Sequence, residues 1–545
     1  MLAWSFEARA AAGVASADPL ATAAGIEILR SGGNAFDAAV AVSAALAVVE
    51  PASSGLGGGG FWLLHDARSG EDWMLDGRER APLAASRDMY LGADGEVVPR
   101  LSVDGALAAG IPGEPAALAW LAEHHGALPL SASLRPAIEL AQRGFAVGAR
   151  YRRLAKFRRD ALAASPSASS VFLADGEVPE LGAIIVQHDL AATLRALAQR
   201  GHDGFYHGEV ARKLVDGVRA AGGIWTLDDL RAYRVKARAP VVANYRGMKI
   251  TSAALPSSGG VVMAQALNIL SGYALDEMVA ADFTHLAVEA MRRAYRDRAQ
   301  YLGDADFVEV PSARLLHPQY AAGQRQSIRL DRATPSESLA PTNDGDLVRG
   351  EGADTTHFSV IDAAGNRVAA TLSINYPFGS GLMPPGTGVL LNDEMDDFSA
   401  KPGAPNVYGL VGAEANAIEG GKRMLSSMSP TFLEHDGRIG ALGTPGGSRI
   451  ISMVLLGALA FHRGADADAI VSRPRFHHQY LPDAIQYEPD ALSAQTIAAL
   501  RQRGHRLDPK ERTWGNMHAV ILDTANGEVT AASDPRGDGA AMVLE

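Results

Sequence analysis

A mixed α/β (α+β) fold is predicted by two observations: short alternating segments that fall in pairs, and apolar runs that carry helix-start signals. Asp18-Pro19 supplies a cap and a first-turn proline for a helix that should end near Gly32-Gly33. Asp37 to Val49 reads as a second, strongly apolar helix. Phe61 to His65 and Glu71 to Asp76 form a hairpin whose far end delivers Arg78. Phe358 to Asp362 and Arg367 to Ile374 form another, which puts Ser373 and Asn375 at a strand end beside Thr355. No tandem repeat or low-complexity tail interrupts this pattern.

The chain has 545 residues, 47% hydrophobic and 21% charged, enough to bury a large core. At about 150 residues per domain, length alone predicts three or four domains. A net charge of -12, with no basic aromatic-rich patch, argues against nucleic acid as a partner. Ala35 to Val49 is apolar but short and carries Asp37, and Ile450 to Phe461 is shorter still, so both read as core helices and no membrane partner is expected. The absence of cysteine excludes a thiol nucleophile, thiolate zinc and disulfides, but does not fix the redox compartment. Met1 to Arg9 lacks a basic region followed by an apolar core, so a cytoplasmic location is expected, or a periplasmic or secreted one if a leader has been removed.

Chemistry concentrates around Asp354-Thr355-Thr356-His357, behind the glycine-rich approach Arg349 to Asp354. A threonine hydroxyl is a weak nucleophile at neutral pH and needs an adjacent base; one solution makes it the first residue of a chain, so that its own α-amine serves. A cut between Asp354 and Thr355 would free that amine and leave the new terminus anchored in a strand. Threonine pairs at strand starts are common, so this segment is not specific by itself. Downstream, Asn392 to Phe398 gathers carboxylates, Leu425 to Pro430 offers adjacent hydroxyls, and Thr444 to Arg449 opens an apolar run. Together they suit an amino-acid head group: Glu394 and Asp397 for an ammonium, Ser426 and Ser427 for a carboxylate, and an arginine as a two-pronged clamp. Singly, acidic runs are usually solvated loops and serine pairs usually cap or turn. The glycine run Gly57 to Gly60 lacks a Gly-Lys-Ser/Thr ending and precedes a strand, which argues against a phosphate cradle. His477-His478 reads as structural, because neighbours on a strand point to opposite faces; no metal and no cofactor are expected.

These residues resemble the γ-glutamyltranspeptidase (glutathione hydrolase) family of N-terminal-nucleophile hydrolases. The resemblance runs from Ala24-Gly25-Ile26 through Gly57 to Phe61, Asp76-Gly77-Arg78-Glu79, Pro256 to Gly260 and Asp354 to His357, and ends at Ser533-Asp534-Pro535-Arg536. It implies a four-layer αββα sandwich, one intertwined domain built from a large fragment 1–354 and a small fragment 355–545, in place of the length-based count. It also implies that Thr355 is both the autoprocessing residue and the mature nucleophile, cut after Asp354. Ser373 matches a hydroxyl position that hydrogen-bonds the nucleophile. Asn375, Glu394 and Asp397 match residues that hold a substrate α-amino group, and Arg78, Ser426 and Ser427 those that hold its α-carboxylate. Gly446 and Gly447 match the backbone donors of an oxyanion hole, in keeping with the positive partial charge of free amides at a helix start. Lys401 to Gly409 looks like the family's lid loop, with Tyr408 as the gate.

Four positions depart from the family pattern: Gly77 stands where an aromatic is usual, Ser373 replaces threonine, Asp393 replaces asparagine, and Met424 stands where proline is frequent. The missing aromatic beside Arg78 is expected to widen the acyl pocket. The activity implied is hydrolysis or transfer of a γ-glutamyl group from glutathione-like small molecules by a heterodimer of the chain's own two fragments. The alternatives are a related amide hydrolase, such as a cephalosporin acylase or an oxamate-type amidohydrolase, and an unprocessed, inactive binding scaffold.

Overall fold

The computed structural model describes residues 11–339 and 355–544. The expectations for Met1 to Arg9 and for the approach Arg349 to Asp354, the cleavage residue Asp354 included, lie outside the described residues. Among the described residues, thirteen strands build two antiparallel sheets. They are β1 (Ala12–Ser16), β2 (Gly59–Asp66), β3 (Glu71–Gly77), β4 (Lys236–Arg238), β5 (Val241–Tyr245), β6 (Met248–Ser252), β7 (Thr356–Ile361), β8 (Arg367–Ser373), β9 (Thr431–His435), β10 (Arg438–Gly443), β11 (His518–Asp523), β12 (Val529–Ser533) and β13 (Ala540–Leu544). The first sheet runs β13-β1-β7-β8-β2-β3-β4 and the second β12-β11-β10-β9-β6-β5.

Side-chain alternation along β2 shows how the layers form. Trp62 and Leu64 pack outward with helices α1 (Pro19–Arg30) and α2 (Ala35–Val49), while Phe61 and Leu63 share a second core with Phe432 and Leu433 of the other sheet. That second core extends to α4 (Gly259–Leu270), α5 (Ala280–Tyr301) and α6 (Ile450–His462), the outer layer on the far side; α3 (Glu114–His124) joins α1 and α2. Two sheets covered on their outer faces by helices make the four-layer αββα sandwich.

The expected helices and hairpins form. Asp18 accepts a hydrogen bond from the Leu20 amide, Pro19 opens α1, and Ser31 with Gly32 at φ +91° ends it. The second helix starts two residues before the expected Asp37, because Asn34 is its cap and Asp37 closes the capping box. The acid in this apolar segment therefore serves the backbone, and every α2 side chain is buried. No helix among the described residues is long and apolar enough to cross a membrane.

Glycines in the run Gly57 to Gly60 allow backbones to close on one another. A Cβ at Gly58 would stand 2.1 Å from the Ser373 carbonyl oxygen, so only glycine lets β2 enter against the end of β8. The Gly58 carbonyl in turn accepts the Gly113 and Glu114 amides at 2.8 and 3.0 Å, which docks α3 behind the same spot. Glu114 is fully buried there and neither carboxylate oxygen finds a hydrogen-bond donor; burial pushes its pKa up to about 8, with the Gly55 amide opposing weakly. The unfolded chain releases this proton near pH 4.3. The folded state therefore loses stability relative to the unfolded state as pH rises between those values, and the loss is complete above about 8. Glu114→Gln should be more stable than the parent by a few kcal/mol at pH 9, with the gap shrinking towards pH 5 in denaturant titrations. A gap independent of pH would contradict the buried, neutral carboxyl.

Candidate active site

The register of the central hairpin sets the site. Leu372 pairs with Thr356, so Ser373 stands opposite Thr355, one residue ahead of β7, and their hydroxyl oxygens are 3.2 Å apart. Past Ser373 the chain turns sharply, with Asn375 at φ +73°, a conformation asparagine tolerates better than most residues. The Asn375 amide donates back to the Ser373 hydroxyl at 2.7 Å, and its side-chain amide donates to the Asp393 carbonyl at 3.0 Å. Asp393 accepts the Tyr376 amide at 2.8 Å through one oxygen, and its other oxygen is buried without a donor. Burial raises its pKa well above the usual carboxylate value, with Arg158 opposing.

Arg78 enters from the end of β3 and is fully buried. Its guanidinium lies 2.5 Å from Glu394, 2.6 Å from Asp397 and 3.5 Å from Glu79, and its Nε donates to the Met424 carbonyl. Burial alone lowers an arginine pKa; Glu394, Glu79 and Asp397 outweigh it and raise that of Arg78. Glu394 is pushed up to about 7 by burial, with Arg78 opposing and Asp397 adding to the rise. Glu79 is also raised, by burial and then by Glu394, with Arg78 opposing. One oxygen of Glu394 faces Arg78, and the other is buried without a hydrogen-bond donor.

The segment expected to be a lid closes over this network. Asn406 donates to Asp397, the Val407 amide to Asp396, and the Tyr408 hydroxyl to the Asn375 carbonyl at 2.8 Å. Tyr408 also lies against Gly447, where a Cβ would stand 2.6 Å from its ring. Gly446 and Gly447, at φ +140° and +55°, turn the chain into a short 3-10 segment, Gly447–Arg449, that continues into α6. On the opposite wall, the Ser426 hydroxyl accepts the Met428 amide and the Ser427 hydroxyl accepts from Arg298.

A small cavity of about 20 Å³ is lined by Thr355, Ser373, Asn375, Arg78, Glu394, Asp397, Tyr408, Ser426, Ser427 and Gly447. All the expected site residues that are described thus meet there except Gly446, which neighbours the lining residue Gly447 without lining the cavity itself; a Cβ on Gly446 would meet Met453. Arg78 is paired with Glu394 and Asp397, because a buried guanidinium takes the carboxylates within reach. One expectation needs correction: Gly77 does not widen the cavity, since a side chain there would run into Trp62 and Ala117 in the helix-facing core. The sequence reading assigned no role to Glu79 or Arg298. The signal available for Arg298 was a cluster of charges on the buried side of an otherwise amphipathic helix, α5.

The site's composition agrees with the comparisons to known proteins. The profile of the gamma-glutamyltranspeptidase family matches residues 21–544. A glutathione hydrolase proenzyme of Pseudomonas sp. (strain A14) is 45% identical, covering 90% of this chain and 86% of its own length. The glutathione hydrolase proenzyme of Escherichia coli (strain K12) is 41% identical, covering 96% and 90%. Among solved structures, a cephalosporin acylase from Bacillus halodurans superposes with a TM-score of 0.85 at 28% identity, covering 99% of this chain and 98% of that one. With a family match along nearly its whole length, this chain belongs to the gamma-glutamyltranspeptidase family.

Proposed function

We propose that the chain is an autoprocessed γ-glutamyl hydrolase and transferase acting on glutathione and related γ-glutamyl amides. In the precursor, the Thr355 hydroxyl attacks the Asp354 carbonyl carbon; the Asp354–Thr355 C–N bond breaks as an ester forms, and water hydrolyses that ester to leave Thr355 with a free α-amine. The fragments 1–354 and 355–545 stay together as a heterodimer, a reading supported by β7 of the second fragment running between β1 of the first and β8. The new amine titrates near pH ~8 and takes the hydroxyl proton during catalysis. Thr355 then attacks the γ-carbonyl of the substrate and the leaving amine departs with a proton. Water or an acceptor amine cleaves the resulting γ-glutamyl ester.

Ser373 orients the nucleophile, and Gly446 and Gly447 stabilise the tetrahedral oxyanion, worth about 3 to 4 kcal/mol for one such donor. Asn375, Glu394 and Asp397 hold the α-ammonium; Ser426 and Ser427 hold the α-carboxylate, with Arg78 as the shared countercharge and Tyr408 as the gate. The observation that carries this reading is the donor-free oxygen of Glu394, buried in the cavity of Thr355, since a carboxylate oxygen kept from water needs a donor such as an ammonium. A second reading, hydrolysis of another acyl amide, draws on the likeness to a cephalosporin acylase. Competition between a γ-glutamyl anilide and a glutaryl anilide, which lacks the ammonium, separates the two: the first should be preferred by at least about tenfold.

Intact mass under denaturing conditions should reveal a fragment of 545 - 354 = 191 residues beginning with Thr355. Thr355→Ala should leave only the 57.1 kDa chain, while Thr355→Ser should still be cut. Persistence of the uncut parent chain would favour an inactive scaffold. Below pH 7, log kcat/KM should fall with a slope of about two, one proton for the α-amine and one for Glu394, whose raised pKa means that acid neutralises it. Glu394→Gln should reduce that slope to about one.

A further inference from the structure

Resting on the proposed γ-glutamyl chemistry, we infer that Arg298 is the positioning residue for the substrate α-carboxylate, acting through Ser427 from outside the contact layer. Arg298 lies on α5, is buried, and among the described residues forms no ion pair with an acidic side chain. Its guanidinium donates to two neutral hydroxyls, Ser258 at 2.9 Å and Ser427 at 3.2 Å. Arg78, by contrast, is neutralised by Glu394 and Asp397. Arg298 is therefore a cation at this wall with no carboxylate at ion-pair distance, Asp397 acting on it only from across the site, and a cation held out of water in this way favours an anion nearby. Burial lowers its pKa, and the charges it feels across the site are the attraction of Asp397 and the repulsion of Arg78.

The hydrogen bond also has a fixed direction. A guanidinium donates and cannot accept, so the Ser427 oxygen is the acceptor and its own hydrogen points away from Arg298. Ser427 lines the cavity, where that hydrogen is a donor for an incoming anion, polarised by the charge behind it. Ser258, the second partner of Arg298, donates its hydroxyl to the Ser426 carbonyl at 2.6 Å, and its amide donates to the same oxygen at 2.8 Å. One guanidinium thus braces both serines. Tyr295, one helical turn earlier on the same face of α5, donates to the Ser448 carbonyl at 2.5 Å, so a single helix face supports the serine wall and the Gly446–Gly447 turn together.

The test compares two anilide donors: γ-glutamyl, and 4-aminobutanoyl, which keeps the ammonium and lacks the α-carboxylate. Arg298→Gln should lower kcat/KM for the γ-glutamyl donor about 10- to 100-fold, mainly through KM, and change that for the 4-aminobutanoyl donor less than about twofold. Arg298→Lys, which keeps the charge without the fork, should recover part of the loss. Intact mass reports whether each variant is processed; if the Gln variant is not, the same donor comparison is made with Arg298→Lys, whose loss should again be confined to the γ-glutamyl donor. Equal losses on both donors would overturn the inference and leave Arg298 a structural residue. A parent enzyme that turns over neither donor would overturn the functional reading beneath it.

Discussion

Arg78 is the constraint around which the site is organised. A guanidinium with no exposure to water survives in a protein interior only when acceptors surround it, and here they come from the end of β3, from the segment 394–397 and from the Met424 backbone. The segment 394–397 and Met424 both lie more than 300 residues beyond Arg78 in the chain, and charge compensation holds them within hydrogen-bond distance of it. The same compensation creates asymmetry. Glu394 commits one oxygen to Arg78 and keeps the other buried without a donor, while Glu79 lies farther from the cation, and burial raises the pKa of both. A cavity walled this way is already charged before anything enters it, and its walls are largely buried, the condition under which a correctly placed ammonium or carboxylate gains most.

Around this centre, several side chains serve the backbone. Ser373 is oriented by the Asn375 amide, Asp393 receives the Tyr376 amide, and Asp396 and Asp397 tie down the segment that carries Tyr408. The segment then closes through one phenolic hydroxyl on the Asn375 carbonyl and through ring contact with Gly447. The covering loop is thus fastened to the nucleophile's turn and to the glycine turn. Opening it would break both contacts.

Two residues at the edge of the site extend this design outward. Glu114 lies behind the Gly58 contact that seats the end of β8, and Arg298 lies behind the serine wall. Both are ionisable groups held by the fold in surroundings that oppose their charge. They differ in what relieves that cost. Glu114 has no cation and takes up a proton, whereas Arg298 keeps its charge and directs it through Ser427 towards the cavity.

Local signals in the sequence were enough for the elements and drew attention to Thr355, Glu394, Asp397, Ser426 and Ser427, while the roles of Arg78, Ser373, Asn375, Tyr408, Gly446 and Gly447 came from the resemblance to a family. Asp18-Pro19, the alternation of β2, β3, β7 and β8, and the spacing of Thr355 from Ser373 act over a few residues, where propensity, capping and strand periodicity are strong. The motif order then pointed to the family. Tertiary structure alone decided what those groups face. It paired Arg78 with the carboxylates expected to wait for a ligand, turned Gly77 towards Trp62, set Gly446 beside Met453, and set Arg298 behind Ser427. The reason is physical: local periodicity says which side of a strand or helix a residue occupies, but charge pairing and close packing in a dry interior depend on groups hundreds of positions away, and only the assembled sheets bring those within reach.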